Sequence, residues 1–324
     1  MKMWQPDRRV TGPYPAAEDE IGPLNRLFSD AFTDRYRRDG LVGVRVPPLS
    51  RAIWTYALRD AGAGALVWRD EDEGLVAFNM VHHSGAEGWM GPLAVRPDRQ
   101  GLGVGTVIVQ AAIDWLKAAG VTTLGLETMP RTVENIGFYS RQGFQPGYLT
   151  VTLTGDVTGR APARGVIRLG DLPDSERADL LARCRTRLQQ SAPGYDFTRE
   201  HELTRELEIG DTLVIERAGD VQGFALWHSA PLAEGRQADE IRVLKLLAAD
   251  PGVFLGLVRG AEGCAARARI RRVAVRCQTR FGAAYSALIR RGYQTRWTDL
   301  RMTLDGFPEA VVPAGEVLFS NWEV

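Results

Sequence analysis

Charge of one sign, paired cysteines and long apolar runs are all missing from this chain. Its 40 basic and 40 acidic residues cancel over 324 positions, so no net field gathers nucleic acid or an anionic membrane. Only three cysteines occur, Cys184, Cys264 and Cys277, widely separated; this argues against a disulfide framework and against Cys/His metal spacing, and fits a reducing cytoplasm. No apolar run approaches the roughly 20 residues of a membrane span, and Met1-Lys2-Met3-Trp4-Gln5-Pro6 lacks the apolar core of a signal peptide. A cytoplasmic protein without metal, nucleic-acid partner or membrane is expected. At about 150 residues per domain, the length predicts two domains, each large enough for its own core.

Glycine is plentiful and, at one place, patterned. Gln100-Gly101-Leu102-Gly103-Val104-Gly105-Thr106 sets three alternating glycines between a strand-like run, Trp89 to Pro97, and apolar residues at Val104, Val107, Ile108, Ala111, Ala112, Trp115 and Leu116, a helical period. Glycine lets the backbone turn sharply and approach a ligand, while the following helix offers unpaired N–H groups and a positive dipole end. Such a loop suits a phosphate or pyrophosphate. A nucleoside-triphosphate loop would need Gly-Lys-Ser/Thr, and Gly105 is followed by Thr106 with no lysine. A dinucleotide fingerprint would need a glycine where Thr106 stands, and would open the first βαβ unit. A glycine-rich turn without a ligand stays open at this point.

A second motif follows: Leu126-Glu127-Thr128-Met129-Pro130, then Asn135-Ile136-Gly137-Phe138-Tyr139-Ser140-Arg141-Gln142-Gly143-Phe144. Together with Gln100-x-x-Gly103-x-Gly105, residues 8 to 155 resemble the GNAT superfamily of acetyl-CoA-dependent N-acetyltransferases, whose loop reads Q/R-x-x-G-x-G/A and whose later motif runs Asn, Phe/Leu-Tyr, Gly-Phe. The resemblance implies acetyl-CoA as co-substrate, with the segment Gln100, Gly101, Leu102, Gly103, Val104, Gly105 and Thr106 around the pyrophosphate. It implies that Leu93, Ala94 and Val95 pair their main chain with the pantetheine arm, and that Asn135 and Tyr139 lie near the pantetheine and the sulfur. It implies direct transfer, in a ternary complex, to a primary amine of a small molecule or peptide, and it admits a homodimer. A CoA-binding sensor or scaffold without catalysis is the other class. By itself, Asn135 would also suit the N-cap of a helix starting near 132–134.

Transfer to an amine needs a proton acceptor, because a lysine-like amine has a pKa near ~10.4. Glu127 closes the apolar run Val121 to Leu126, which reads as a buried parallel strand whose end faces the crevice; burial there is expected to raise the carboxyl pKa. Glu127 and Tyr139, 139 − 127 = 12 residues apart, resemble the glutamate base and tyrosine acid of the ribosomal-protein alanine acetyltransferases in the same superfamily. They are the candidate catalytic residues, with a water relay or no dedicated base as the alternative to Glu127. Other members place Glu or His on the preceding strand, where this chain has Trp89 and Gly91. His82, His83 and Glu87 are the nearest substitutes, and the histidines are expected to end an exposed strand before Ser84-Gly85. No cysteine lies near the loop to serve as an acyl-carrying nucleophile. Arg35, Tyr36, Arg37, Arg38 and Arg45 fit either steering of an anionic acceptor or a solvated loop.

After a polar, Gly/Pro-containing stretch, Gly155 to Gly165, the pattern restarts. Asp211–Glu216 and Val221–Trp227 read as a hairpin, and Ala284 to Tyr293 runs parallel to Asn135 to Phe144. The expected fold is α/β with a mixed sheet: two tandem GNAT-like domains, 1–156 and 163–324, each mostly antiparallel with a central parallel pair and flanking helices. Setting Gly143 on Gly292, an offset of 149, places Glu127 on Arg276, Asn135 on Ala284 and Tyr139 on Leu288. Setting Leu93 on Leu247, an offset of 154, places Gln100, Gly103 and Gly105 on Phe254, Leu257 and Arg259. The second half is therefore expected to bind no CoA and to serve as a structural partner.

Overall fold

Apolar periodicity of two or of 3.6 residues accounts for nearly every element of the computed structural model, which describes residues 10–72, 74–157 and 165–322. The expected linker lies mostly outside these residues. The first half runs β1 (Thr11–Pro15), α1 (Ile21–Arg38), α2 (Arg51–Ala61), β2 (Ala65–Arg69), β3 (Leu75–Ser84), β4 (Glu87–Val95), α3 (Val104–Ala118), β5 (Thr123–Thr128), α4 (Val133–Arg141) and β6 (Phe144–Asp156). The second half repeats the series as β7 (Val166–Arg168), α5 (Asp174–Ser191), α6 (Thr198–Glu206), β8 (Gly210–Arg217), β9 (Asp220–His228), β10 (Glu240–Ala248), α7 (Pro251–Arg267), β11 (Arg272–Gln278), α8 (Gly282–Arg290) and β12 (Gln294–Leu304), then adds β13 (Val317–Ser320). No helix among the described residues is long and apolar enough to cross a membrane.

All these strands join one mixed sheet, ordered β1-β2-β3-β4-β5-β12-β6-β11-β10-β9-β8-β7, with β13 on β10. The pairs β4·β5 and β10·β11 are parallel; the other pairs are antiparallel. Each half lends its last long strand to the other. β12 pairs with β5 and β6, while β6 pairs with β11 and β12. In the central pair Phe144 faces Leu304 and Thr154 faces Gln294; the strand order is unchanged when it is reversed and the two halves are exchanged, so a pseudo-two-fold axis passes between these two strands.

Helices cover both faces. α1 and α2 set Leu24, Phe28, Trp54 and Leu58 against Val67, Phe78, Met80 and Ala94. On the opposite face α3 sets Ile108, Val109, Ala112 and Leu116 against Val76, Val81, Met90, Leu124 and Leu126. In the second half α7 sets Phe254, Leu257 and Ala261 against Leu213, Ala225, Val243 and Val275. Each such fully buried aliphatic or aromatic side chain contributes about 1.5–3 kcal/mol relative to exposure, so both helical layers are strongly fixed to the sheet.

The exchange has a direct consequence. Expressed alone, residues 1–157 would leave β5 without β12 and β6 without either neighbour, exposing long unpaired edges. Size-exclusion chromatography with light scattering should show aggregation or self-pairing of that fragment, and co-expression with residues 158–324 should restore a soluble one-to-one complex. A stable monomeric first half would refute the account.

Candidate active site

The glycine loop is held open by its backbone. Gly101 and Gly103 sit at φ 75° and 85°, and a Cβ at either would meet nothing within 4 Å, so conformation and not crowding selects glycine there. Gly103 caps α3 without any side-chain bond. No carbonyl of the described residues accepts from the amides of Leu102, Gly103, Val104 or Gly105; ordered bonding begins with Thr106 N to Gly103 O at 3.0 Å. Leu102 is 58% exposed. Gln100 Nε2 donates to Val95 O at 2.9 Å and ties the loop to β4. The result is a helix N-terminus whose first amides have no backbone acceptor among the described residues, a setting that favours negative charge.

Beside the loop the sheet divides. β4 and β5 are paired only from Glu87·Thr123 to Met90·Leu126. From Gly91, at φ 135°, β4 keeps its bonds to β3 through Leu93, Ala94 and Val95, and its other edge meets no strand. A slot with free main-chain groups thus runs from the divergence to the loop. Asn135 is the third residue of α4 and Thr132 precedes that helix; the N-cap alternative for Asn135 therefore falls.

The second half has the same divergence, closed. β10 and β11 are paired from Glu240·Arg272 to Val243·Val275, and the edge beyond is taken by β13, with Lys245 opposite Ser320 and Ala248 opposite Val317. Between strand and helix the first half has eight residues, 96 to 103, where the second has two, Ala249 and Asp250. The expected correspondence of the loop with Phe254, Leu257 and Arg259 is thus corrected: Phe254 and Leu257 lie in α7, buried against the sheet. Asp250 Oδ1 accepts from Val253 N at 2.8 Å, which lowers the Asp250 pKa, and Arg217 pairs with it at 2.8 Å. A carboxylate of the chain itself thus occupies the α7 terminus.

Where β4 and β5 part lies a narrow cleft of about 40 Å³, lined by His82, Trp89, Gly91, Glu127, Arg276 and the Ser320–Trp322 tail, among others. Glu127 is bound there on both oxygens. Thr150 Oγ1 donates to Oε1 at 2.5 Å, Arg301 Nη1 donates to Oε1 at 2.8 Å, and Arg276 donates to Oε2. Burial pushes its pKa up, as expected from sequence, but Arg276 and Arg301 outweigh burial and hold it below the ordinary glutamate value. The expected rise is therefore corrected, because both cations come from the other half of the chain. Tyr139 is buried against Phe138 and Phe144, and desolvation raises its hydroxyl pKa.

The expectation of an exposed His82 also fails. His82 is 2% exposed, and only His83 faces solvent. His82 Nδ1 lies 2.7 Å from Asp60 Oδ2, and Nε2 is buried without a partner. Asp60, at the end of α2, carried no sequence signal. Neither did the second-half groups next to it: Glu200, bonded by Ser84 Oγ, and Lys245, 2.9 Å from Ser320 Oγ and 3.2 Å above the Trp322 ring. Burial raises Glu200 to about 7 against the pull of Lys245.

Next to the cleft, Met129–Arg131 and Thr295–Thr298 line a groove of about 400 Å³. Strand rise sets Met129 about 7 Å beyond Glu127. Tyr36 of α1 contacts both Arg131 and Trp297. The arginines singled out in sequence are neutralised locally: Arg35 by Asp39 and Glu134, Arg37 and Arg38 by Asp34, Arg45 by Asp30. The loop after α1 is fixed by the second half through Ser50 N to Leu232 O at 2.8 Å and Glu234 N to Pro48 O at 2.9 Å. Among the described residues no cluster of His, Cys, Asp and Glu is arranged to hold a metal ion.

Comparison with known proteins agrees with this geometry. Residues 25–144 match the family model described as Acetyltransferase (GNAT) family. Curated protein sequences give no match. Among solved structures, a GCN5-related N-acetyltransferase from Sphaerobacter thermophilus is similar at 15% identity and TM-score 0.59, covering 95% of this chain and 98% of that one. A tandem GNAT protein from the clavulanic acid biosynthesis pathway matches at 16% identity and TM-score 0.59, covering 93% and 100%. Saccharomyces cerevisiae N-myristoyltransferase with bound myristoyl-CoA matches at 12% identity and TM-score 0.60, covering 93% and 83%. These likenesses establish the tandem fold.

The Glu127 cluster yields a stability prediction. Arg301 is 2% exposed on its side chain and stacks over Trp89, so Arg301→Leu leaves Glu127 buried with half its cationic support, at a cost of about 3 kcal/mol. Because the folded-state pKa of Glu127 is lowered, its stabilisation is full above the ordinary glutamate range and is lost as pH falls through the folded value. Thermal unfolding should therefore show a large deficit for Arg301→Leu at pH 7 that shrinks on acidification. A pH-independent deficit would refute the ion-pair account.

Proposed function

We propose that this protein, whose residues 25–144 match the GNAT acetyltransferase family model, transfers an acetyl group from acetyl-CoA directly to a primary amine of a small molecule or peptide. The observation that carries this reading is the open divergence of β4 and β5, leading from the buried cleft to a helix N-terminus with unpaired amides. The thioester, when bound, supplies an activated acyl carbon. The amides between Gly101 and Thr106 would hold the pyrophosphate, Gln100 would keep the loop in place, and the free edge of Leu93, Ala94 and Val95 would align the pantetheine arm. Asn135 would bond that arm from α4. Tyr139 keeps its proton at neutral pH because burial raises its pKa, the state required of an acid for the departing sulfur.

Glu127, with both oxygens engaged by arginines and Thr150, is best suited to shaping the cleft and balancing its cationic wall. The groove at Met129–Arg131 and Thr295–Thr298 gives the amine its approach. Residues 1–156 would be the catalytic unit. Residues 163–324 would bind no CoA, since β13 and Asp250 fill the places that the arm and the pyrophosphate would need. A sensor or scaffold that only binds CoA would need neither Tyr139 nor a polar cleft beyond the sulfur.

Titration calorimetry with CoA should give one site per chain, and two sites would refute the assignment of the halves. A panel of primary amines (alkyl amines, polyamines, amino acids and peptide N-termini) incubated with acetyl-CoA should include at least one that releases free CoA thiol. Gly103→Leu, forced into a left-handed conformation that side chains avoid, should weaken CoA binding at least tenfold. Tyr139→Phe should lower kcat roughly 10- to 100-fold at unchanged CoA affinity. If no amine is consumed and Tyr139→Phe has no turnover to lower, the sensor reading replaces this one.

A further inference from the structure

Outside the groups that would bind CoA, one feature of the cleft has the form of a chemical device. His82 lies on β3 directly opposite Trp89 of β4, two residues before Gly91, where the strands part. Its ring is buried, stacked against Trp322 with centroids 6.0 Å apart at 29°. Nδ1 is 2.7 Å from Asp60 Oδ2, itself buried. Burial would raise the Asp60 pKa, but the hydrogen bond to His82 and the nearby charges of Lys245 and Arg199 lower it. The carboxylate is thus ionised and accepts from Nδ1–H, which fixes the tautomer and leaves the Nε2 lone pair as the reactive position. That nitrogen has no hydrogen-bond partner and its ring lines the cleft. A buried acceptor left unsatisfied carries a cost of about 1–3 kcal/mol unless something meets it.

The pseudo-symmetric position carries the same residue type with a different partner: His228 of β9 lies opposite Arg242 of β10 as His82 lies opposite Trp89, and its Nε2 bonds the neutral hydroxyl of Thr204 at 2.8 Å. Thr204 stands on α6, as Asp60 stands on α2. The repeat therefore retains the histidine, and in the half with the open divergence a carboxylate stands behind it. Glu127, by contrast, has both oxygens engaged by donors, and the two arginines oppose its taking a proton.

We propose that His82, oriented by Asp60, is the proton acceptor for the amine. This rests on the acyl-transfer reading above. The cleft has room for about one water, and a proton can pass to Nε2 through one water. The amine nitrogen forms its bond to the acyl carbon and releases one proton, by way of that water, to His82 Nε2. The carbon–sulfur bond breaks with its electron pair on sulfur, which is protonated by Tyr139, and Tyr139 regains a proton from solvent. His82 then returns its proton to bulk water. His82 is the catalytic residue here, and Asp60 is a positioning residue.

The test uses the full chain, acetyl-CoA and the best primary amine of the panel. His82→Gln should lower kcat/KM for the amine about 100-fold, leave CoA affinity by calorimetry unchanged, and remove the acidic limb of the pH–rate profile. Asp60→Asn should lower the rate at least tenfold and move that limb to lower pH, a shift that a packing defect would not produce. Lys245, Glu200 and Arg199 also bear on this pair, Glu127 lines the cleft and Glu87 is bonded behind it to Ser320 and Trp89; Glu200→Gln serves as the control and should retain the limb. If His82→Gln is poorly folded, Asp60→Asn, which removes only a charge, decides the matter by the same two readouts. Full activity in His82→Gln, an unchanged limb in Asp60→Asn, or loss of the limb in Glu127→Gln alone would overturn the proposal while leaving acyl transfer intact. Absence of thiol release by the parent protein with every amine would overturn both.

Discussion

The reciprocal loan of β6 and β12 is the constraint on which the rest of the molecule depends. Because each strand lies between two strands of the other half, the boundary between the halves is the middle of a sheet and not a surface contact. Every ladder bond there joins parts of the chain far apart in sequence. The axis of this exchange brings Glu127 and Arg276, equivalent positions of the two halves, together as one ion pair. Thr150 and Asp299 are equivalent in the same way: they face each other in the β6–β12 register, and each bonds one member of that pair. A charge cluster can persist at such depth because each carboxylate oxygen and guanidinium finds a partner across the axis.

Duplication produced two divergent strand pairs, and their fates differ for physical reasons. In the second half, β13 supplies the main-chain partners that the parted β10 edge lacks, and Asp250 supplies the anion that the α7 terminus attracts. In the first half neither demand is met from within the chain. The same tail that closes one divergence then delivers Ser320, Asn321 and Trp322 to the wall of the other. Ser320 Oγ donates to Glu87 Oε2 at 2.6 Å, and Glu87 accepts from Trp89 Nε1 at 2.8 Å, so the closed site positions the strand on which the open one is built.

What the sequence made legible follows from how local each signal is. The glycine loop, the amphipathic α3 and the repeat of the Gly-aromatic ending are short-range patterns, and they appear where periodicity placed them. The offset of 149 even set Glu127 on Arg276, although nothing in a linear alignment says that equivalent residues should touch. The pKa of Glu127 was misjudged for that reason: burial could be read from the apolar run before it, but its two arginines lie 149 and 174 residues away. His82 was misjudged because a polar pair before Ser84-Gly85 looks like a strand end, whereas α2 and the second half bury it. The loop register in the second half failed because a strand-based offset cannot see that eight residues have become two.

The low dielectric produced by this packing changes what the cleft can do. Lys245 is fully buried among Glu200, Glu87 and Asp60; burial lowers its pKa and the three carboxyls oppose that shift. Carboxyls outnumber the lysine in this group, and Glu200 responds with a pKa raised to about 7, so the cluster is able to take up a proton near neutrality. In water such groups would be screened from one another; here a change of charge on one is felt by the rest. A histidine set at the edge of this cluster, backed by an ionised Asp60 and lining the cleft, stands where a positive charge that appears on its ring is offset by carboxylates already in place. The strand exchange thus does more than join two copies of a fold: it builds, from both, the buried field in which the proposed proton transfer to His82 would take place.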